Sequence, residues 1–154
     1  MRKFPRVYLV ILNYNGKDVL KKCLLSVFRN DYPNFEIVLV DNNSTDGSFE
    51  MAKSDFSKPS FIKNQENLGY AAGCNVGIRF ALERMADYIL LLNNDVEVEK
   101  DFLTRLVKVA ESDEVREGMI FDYDHNGHLL SLELLDASEQ VSRPQAVEFA
   151  LAEA

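Results

Sequence analysis

The sequence predicts an α/β protein with a mostly parallel sheet and helices on both faces. Short apolar runs typical of buried strands alternate with segments whose apolar residues recur at helical spacing. The connections between them are short, so the order is strand then helix, repeated four times. The 154 residues suffice for one domain with a core, and 47% of them are hydrophobic, as in ordinary globular proteins.

Each predicted strand is a short apolar run that stops abruptly at polar side chains. The first, second and fourth runs are rich in Val, Ile and Leu, which is typical of strands buried on both faces. The third run is shorter and weaker. The four strands are predicted at residues 7–12, 35–40, 60–63 and 88–92.

Each predicted helix carries apolar residues three and four positions apart. The first has its apolar stripe from Val19 to Phe28, and the second is a short helix capped by Ser44 or Asp46. The third opens at residues 67–75, and the fourth covers about residues 101–111. The third helix is expected to bury Ile78, Ala81, Leu82 and Met85.

The pattern loosens in the last part of the chain. We therefore divide the sequence into a core domain, residues 1–116, and an atypical segment, residues 117–154. The segment begins with a short candidate strand, continues through a polar stretch and an apolar run of ambiguous period, and ends in helix-forming residues.

Charge narrows the classes of partner. The formal net charge is −8 and no block of Lys and Arg is present, which argues against nucleic acid as the main partner. An acidic protein that binds a diphosphate needs a metal or a local cluster of donors. Cys23 and Cys74 form no metal-ligand pattern and suit free thiols in a reducing cytoplasm.

Polar clusters follow the first, second and fourth strands, at residues 13–15, 41–43 and 93–95. Each cluster alone also fits a turn or a helix cap. In a parallel sheet with right-handed crossovers, however, all three lie at the same edge. Gly69 and Gly73 open the third helix there and permit close backbone approach, and a helix N-terminus attracts anions. Together these groups suit a nucleotide diphosphate.

Four stretches then resemble a known family. Residues 10–15, 40–47, 67–75 and 91–96 are similar to the signature stretches of family 2 glycosyltransferases, with the rhamnosyltransferase-like branch as the nearest likeness. The resemblance covers roughly residues 5–112. It implies a Rossmann-like GT-A nucleotide-binding domain.

The resemblance also implies a role for particular residues. Asp41 is expected to hydrogen-bond a pyrimidine base, while Asn13 and Tyr14 line the base and ribose pocket. Gly69 and Asn75 are expected to border the nucleotide. Asn94 is expected to face the ribose, and Asp95 is expected to bind Mn²⁺ or Mg²⁺.

The implied reaction is inverting transfer of a sugar from a dTDP- or UDP-sugar to a hydroxyl of a glycan or lipid-linked acceptor, as in polysaccharide biosynthesis. We expect a cytoplasmic protein, at the inner face of the membrane if the acceptor is lipid-linked. In the family the general base comes from a later segment, so the resemblance implies a chain truncated after the metal-binding motif. A catalytically incomplete nucleotide-binding fragment is the alternative, and its exposed sheet edge would favour self-association.

A second motif supports a different function. Asp122, Asp124, Asn126 and Glu133 fit the oxygen-ligand positions of an EF-hand loop, with Gly127 at its sharp turn. The motif predicts a Ca²⁺ site. The same residues also fit a polar β-turn between two strands, and no partner hand is visible in the sequence. Both interpretations stay open from the sequence alone.

Overall fold

A computed structural model describes residues 4–111, together with the backbone of residues 119–123 and 129–134. The chain divides into two compact units, Met1–Lys108 and Val109–Ala154. The sequence places this division a little later, after residue 116. No helix among the described residues is long and apolar enough to cross a bilayer.

The first unit contains a four-stranded parallel sheet. Its strands are β1 (Val7–Asn13), β2 (Phe35–Asp41), β3 (Ser60–Lys63) and β4 (Tyr88–Asn93). Their spatial order is β3-β2-β1-β4, and every neighbouring pair is parallel. The helices are α1 (Lys17–Phe28), α2 (Ser48–Asp55), α3 (Gly69–Leu82) and α4 (Phe102–Ala110).

Apolar side chains cover both faces of this sheet. On one face Leu9 and Ile11 of β1 pack with buried residues of α1, α2 and α4, such as Leu24 and Leu103. On the other face Tyr8 and its neighbours in β1 and β2 pack with α3. The predicted α/β fold, a parallel sheet with helices on both faces, is therefore confirmed.

The fully buried positions of helix α3 are small residues rather than the predicted large ones. Its buried residues are Gly73, Cys74, Gly77 and Ala81. A Cβ atom at Gly77 would overlap Cγ1 of Val10, so the helix lies too close to β1 for a larger side chain. Of the predicted stripe, Ala81 is buried and Ile78 is partly buried, whereas Leu82 is 57% exposed and Met85 lies beyond the helix at 75% exposure.

Strands β1, β2 and β4 each extend one residue further than predicted, into the polar clusters. Asn13, Asp41 and Asn93 are their last residues. Because side chains of a strand alternate between the two faces, the last residue follows the parity of the residues before it. Asn13 and Asp41 therefore share the face of Ile11, which α1 and α2 cover.

The described backbone of the second unit is an antiparallel pair. Strand β5 (Met119–Tyr123) pairs with β6 (Leu129–Leu134), with Asp122 opposite Ser131 and Glu133 opposite Ile120. Strands therefore cover both ends of the proposed EF-hand loop, residues 122–133, whereas helices flank an EF-hand loop. A pair of strands is what the alternative, a polar turn between two strands, requires.

The calcium site itself stays a prediction. Asp122 and Glu133 lie in described strands, but Asp124 and Asn126 lie outside the described residues. The helix-forming segment predicted near the end of the sequence also lies outside them.

Candidate functional site

A cleft of about 330 Å³ lies at the carboxyl edge of the four-stranded sheet. The residues that line it are Leu12, Tyr14, Asn42, Asn67, Gly69, Tyr70, Asn93, Asn94 and Asp95. They lie at the ends of β1 and β4, after β1, β2 and β4, or at the opening of α3. The chain runs from β1 to β2 on one side, and β4 pairs with the other side of β1. This is the topological switch point, where open α/β sheets bind their ligands.

Four of the residues predicted to form the site line this cleft. They are Tyr14 after β1, Gly69 at the start of α3, and Asn94 and Asp95 after β4. Tyr14 is 52% exposed, so its ring is open to a ligand. Asn75 is not among the lining residues and lies exposed on the second turn of α3.

Asp41 has a different place from the one predicted. Its side chain is 0% exposed and lies behind the cleft rather than in it. Its carboxylate accepts hydrogen bonds from Asn13 Nδ2 at 2.9 Å, from Ser44 Oγ at 2.6 Å and from the Ser44 backbone N–H at 2.8 Å. Strand parity turns the side chain of Asp41 toward α2, and its predicted contact with the base stays a prediction.

Asn13 also lies behind the cleft and is 0% exposed. Its Nδ2 faces Asp41 and the hydroxyls of Ser44 and Ser48, at 2.9, 3.1 and 2.8 Å. Its Oδ1 accepts from Asn94 Nδ2 at 2.9 Å. Asn13 therefore links the end of β2 to the turn after β4 through hydrogen bonds. It lies behind Asn94, the residue predicted to face the ribose.

Gly16 leaves the space that this contact needs. A Cβ at residue 16 would overlap Nδ2 of Asn94 and come within 2.7 Å of Oδ1 of Asn13. A side chain there would push the two amides apart. The glycine after β1 is thus required for the position of the turn after β4.

The sequence analysis missed several lining residues, and strand parity identifies two of them. Leu12 precedes Asn13 and Asn42 follows Asp41, so both lie on the opposite face, toward α3. Asn42 donates through Nδ2 to the Gly69 carbonyl at 2.9 Å and accepts from Asn64 Nδ2 at 2.8 Å. These bonds hold the opening of α3 against the end of β2.

Tyr70 is another missed residue, on the α3 side of the cleft. Its hydroxyl lies 3.2 Å from Oδ1 of Asn93 on the β4 side. The ring is 60% exposed, so Tyr14 and Tyr70 both present aromatic surface to the cleft. The adjacent backbone N–H of Gly69 is held by Asn67 Oδ1 at 2.9 Å, which accounts for one donor at the predicted anion-binding helix N-terminus.

The thiol of Cys23 contacts the end of β4. Its sulfur lies 3.6 Å from the carbonyl oxygen of Asn93. Burial, and then the charges of Asp95 and Glu97, raise the pKa of Cys23 to about 12. The thiol therefore stays protonated at neutral pH, as a hydrogen-bond donor rather than a nucleophile.

The donor set of the cleft fits a divalent cation shared with a ligand. Asp95 is exposed, and its carboxylate makes no hydrogen bond or ion pair with another described residue. The described residues contain no cluster of three His, Cys, Asp or Glu that could hold a metal alone. Mg²⁺ is commonly held by one or two carboxylates together with substrate phosphates, so a single free carboxylate suits this mode.

Comparisons with known proteins give a matching family model and several relatives. The model of the family described as glycosyl transferase family 2 matches residues 8–124. Glycosyltransferase GlyG of Streptococcus pneumoniae is 31% identical over 125 residues, which are 78% of this chain and 40% of that protein. The cholesterol galactosyltransferase of Borreliella burgdorferi is 30% identical over 110 residues, which are 70% of this chain and 30% of that protein. This chain thus spans less than half the length of either relative.

Two solved structures share the fold. The mannosyltransferase PcManGT from Pyrobaculum calidifontis, in complex with GDP-Man and Mn²⁺, has a TM-score of 0.65 and 24% identity, over 74% of this chain and 34% of that one. S. aureus TarS 1–349 in complex with UDP has a TM-score of 0.62 and 21% identity, over 69% of this chain and 32% of that one.

Proposed function

This chain belongs to glycosyl transferase family 2, and we propose that its cleft binds the nucleotide-diphosphate sugar of a metal-dependent, inverting glycosyl transfer. The observation that carries the proposal is the unpaired carboxylate of Asp95 in the cleft at the switch point of the sheet. No Lys or Arg is among the described lining residues, so a diphosphate there needs a cation to offset its charge.

The residues of the cleft have complementary roles in this proposal. Tyr14 presents an aromatic face to the base, Asn94 offers an amide to the ribose, and Asp95 holds Mn²⁺ or Mg²⁺. The left-handed backbone of Gly69, with φ of 77°, allows the chain to turn closely past the nucleotide at the opening of α3. Asn42 replaces Asp41 as the cleft-facing residue after β2.

The donor class rests on the family and on the cleft together. PcManGT and TarS are solved with GDP-Man and UDP respectively, and both share this fold. We propose a UDP- or dTDP-sugar, in line with the rhamnosyltransferase-like motifs, and a glycan or lipid-linked acceptor at the cytoplasmic face of the membrane, within polysaccharide biosynthesis. We also propose that the chain self-associates through the edge of the sheet.

The chemistry divides between the cleft and the acceptor side. A cation at Asp95 would stabilise the negative charge of the departing diphosphate. A carboxylate general base would remove the proton of the acceptor hydroxyl. Asp95 is the one carboxylate among the described residues that line the cleft, and a carboxylate bound to a cation is a poor base. We therefore propose that the base lies outside the described residues.

Asp95→Ala tests this proposal by calorimetric titration. UDP, dTDP and GDP are titrated into the full chain with Mn²⁺ and again with EDTA. We expect binding of UDP or dTDP that weakens at least about 100-fold in EDTA and equally in the variant, because the loss of a charged ligand removes roughly 3 kcal/mol.

Glu97→Ala is the matched control, since Glu97 is an exposed carboxylate two residues further on that does not line the cleft. It should bind like the parent chain. Preference for GDP would correct the base, and a folded parent that binds none of the three nucleotides contradicts the proposal. Metal-dependent binding without turnover would favour the catalytically incomplete fragment.

A further inference from the structure

The buried amide of Asn13 has hydrogen-bond partners on both of its ends. Its nitrogen lies within 3.1 Å of three oxygens, on Asp41, Ser44 and Ser48. Its oxygen lies 2.9 Å from the side-chain nitrogen of Asn94. An amide can in principle be turned over, which exchanges its donor and acceptor ends, so the partners decide which end faces the cleft.

The partners on the nitrogen side are all acceptors toward Asn13. Ser44 Oγ donates its proton to Asp41 Oδ1 at 2.6 Å, and Ser48 Oγ donates its proton to Asp46 Oδ1 at 2.5 Å. A hydroxyl has one proton, so each serine has only lone pairs left for Asn13. Turning the amide over would place its oxygen against three oxygens.

The orientation of the Asn13 amide also fixes the orientation of the Asn94 amide. Because Asn13 can offer only its oxygen, Asn94 must use its NH₂ group for this contact. Among the described residues, no donor reaches Oδ1 of Asn94. Asn94 lines the cleft, and its oxygen is the atom left for a ligand.

We propose that Asn13 is a positioning residue that directs the amide oxygen of Asn94 into the donor cleft. The neutral side chain of Asn94 thereby presents a hydrogen-bond acceptor, and not a donor, to a hydroxyl of the ligand. This inference rests on the proposed function for its ligand, a nucleoside diphosphate. The orientation of the two amides is a property of the protein alone.

The proposal makes an unusual prediction for Asn94→Asp. The resemblance implies an aspartate at this position in many relatives, yet here its second oxygen would lie about 2.9 Å from Oδ1 of Asn13. Asn13 cannot turn over to donate instead. We expect the variant to bind UDP with Mn²⁺ about tenfold more weakly than the parent, because two accepting oxygens would then face each other with no proton between them.

Asn93→Asp is the charge-matched comparison for this variant. Oδ1 of Asn93 accepts from Tyr70, so an aspartate there adds the same charge to the same cleft and keeps an accepting oxygen. The loss in Asn94→Asp should exceed the loss in Asn93→Asp. Equal losses would mean that charge alone weakens binding, and this would overturn the proposal.

A double variant separates positioning from general damage to the fold. In Asn13→Ser with Asn94→Asp, the oxygen that would face the introduced carboxylate is removed, and the shorter side chain leaves room for a water molecule or the serine hydroxyl to donate to it. We expect the double variant to bind UDP at least about fivefold more tightly than Asn94→Asp alone. If the two substitutions add independently, with melting temperature falling in step with affinity, Asn13 is only structural and the proposal is wrong.

Nuclear magnetic resonance on the ligand-free chain tests the orientation itself. A Cβ at Gly16 would overlap Nδ2 of Asn94, so the α protons of Gly16 lie beside that NH₂ group. We expect a nuclear Overhauser contact between them and slow exchange of the Asn94 side-chain protons. Neither signal would arise if the oxygen faced Gly16. This measurement decides the orientation even if the parent binds no nucleotide, an outcome that would contradict the proposed function instead.

Discussion

Asp46 shows how one side chain fixes the start of two helices at the residue scale. Its Oδ2 accepts from the backbone N–H of Lys17, the first residue of α1, at 2.9 Å. Its Oδ1 accepts from the backbone N–H of Ser48, the first residue of α2, also at 2.9 Å. Burial alone would raise the pKa of Asp46, but the hydrogen bonds from Ser48 and Lys17 outweigh it, and the pKa lies below its ordinary 3.8.

Asp46→Asn should therefore lower the free energy of unfolding at pH 7, by about 1 kcal/mol, as expected for the loss of a helix-capping carboxylate. A carboxyl group whose pKa is depressed by folding stabilises the protein above its unfolded pKa. That stabilisation is lost as pH falls through the lower folded pKa. The difference between the two proteins should thus narrow below pH 3.8. Urea denaturation from pH 7 to pH 3 measures it.

The control for this experiment is Asp55→Asn. Asp55 forms a partly exposed ion pair with Lys21 at 2.7 Å. Such pairs contribute about 0.5 kcal/mol or less, so its effect should be small. An Asp46→Asn effect that is equally small, or that does not change with pH, would contradict the double-cap interpretation.

At the element scale, helix α3 is defined by how closely it approaches the sheet. A Cβ at Gly77 would overlap Val10 Cγ1 and lie 3.1 Å from Val40 Cγ2. Gly77→Ala should destabilise the fold by about 1–3 kcal/mol through overpacking, despite the roughly 1 kcal/mol that Ala gains in helix propensity. Denaturant unfolding of the single variant gives the magnitude.

Val10→Ala provides the matched test of that mechanism. It removes the methyl groups that the new Cβ meets, so the double variant should lose less stability than the two single effects predict. Stabilisation by Gly77→Ala alone would show that the helix can move away from the sheet, and would refute the close-packing argument.

The elements themselves were largely predictable from the sequence, because buried parallel strands read as continuous apolar runs and the helices keep helical periodicity. The predicted strands end within one residue of the observed ones. That residue decides which side chains face the cleft: Asp41, whose role the resemblance implied, turns toward α2, whereas Asn42, to which the sequence analysis assigned no role, lines the cleft. The buried face of α3 was also missed, since glycine gives no apolar signal in a periodicity analysis. Packing distance, not hydrophobicity, makes those positions interior.

At the scale of the whole molecule, β1 is the central element of the sheet. It pairs with β2 on one side and β4 on the other, and most of its residues are fully buried. Its amide protons should exchange only through global unfolding. β3 is a four-residue edge strand whose side chains are largely half-exposed, so its amides should exchange faster by local opening. Hydrogen exchange followed by mass spectrometry compares them, and equal protection of β3 and β1 would contradict this order.

The pairing of β1 with β4 also has a consequence during synthesis. Val7 and Tyr88 are register partners, separated by about 80 residues of chain. At about 5–20 residues per second, one edge of this largely apolar strand stays without its partner for roughly 4–16 s during synthesis. During that interval β1 is a template for pairing with other nascent chains. Slower elongation between α3 and β4 should therefore reduce the yield of soluble protein, and a chaperone that covers extended apolar segments should restore it.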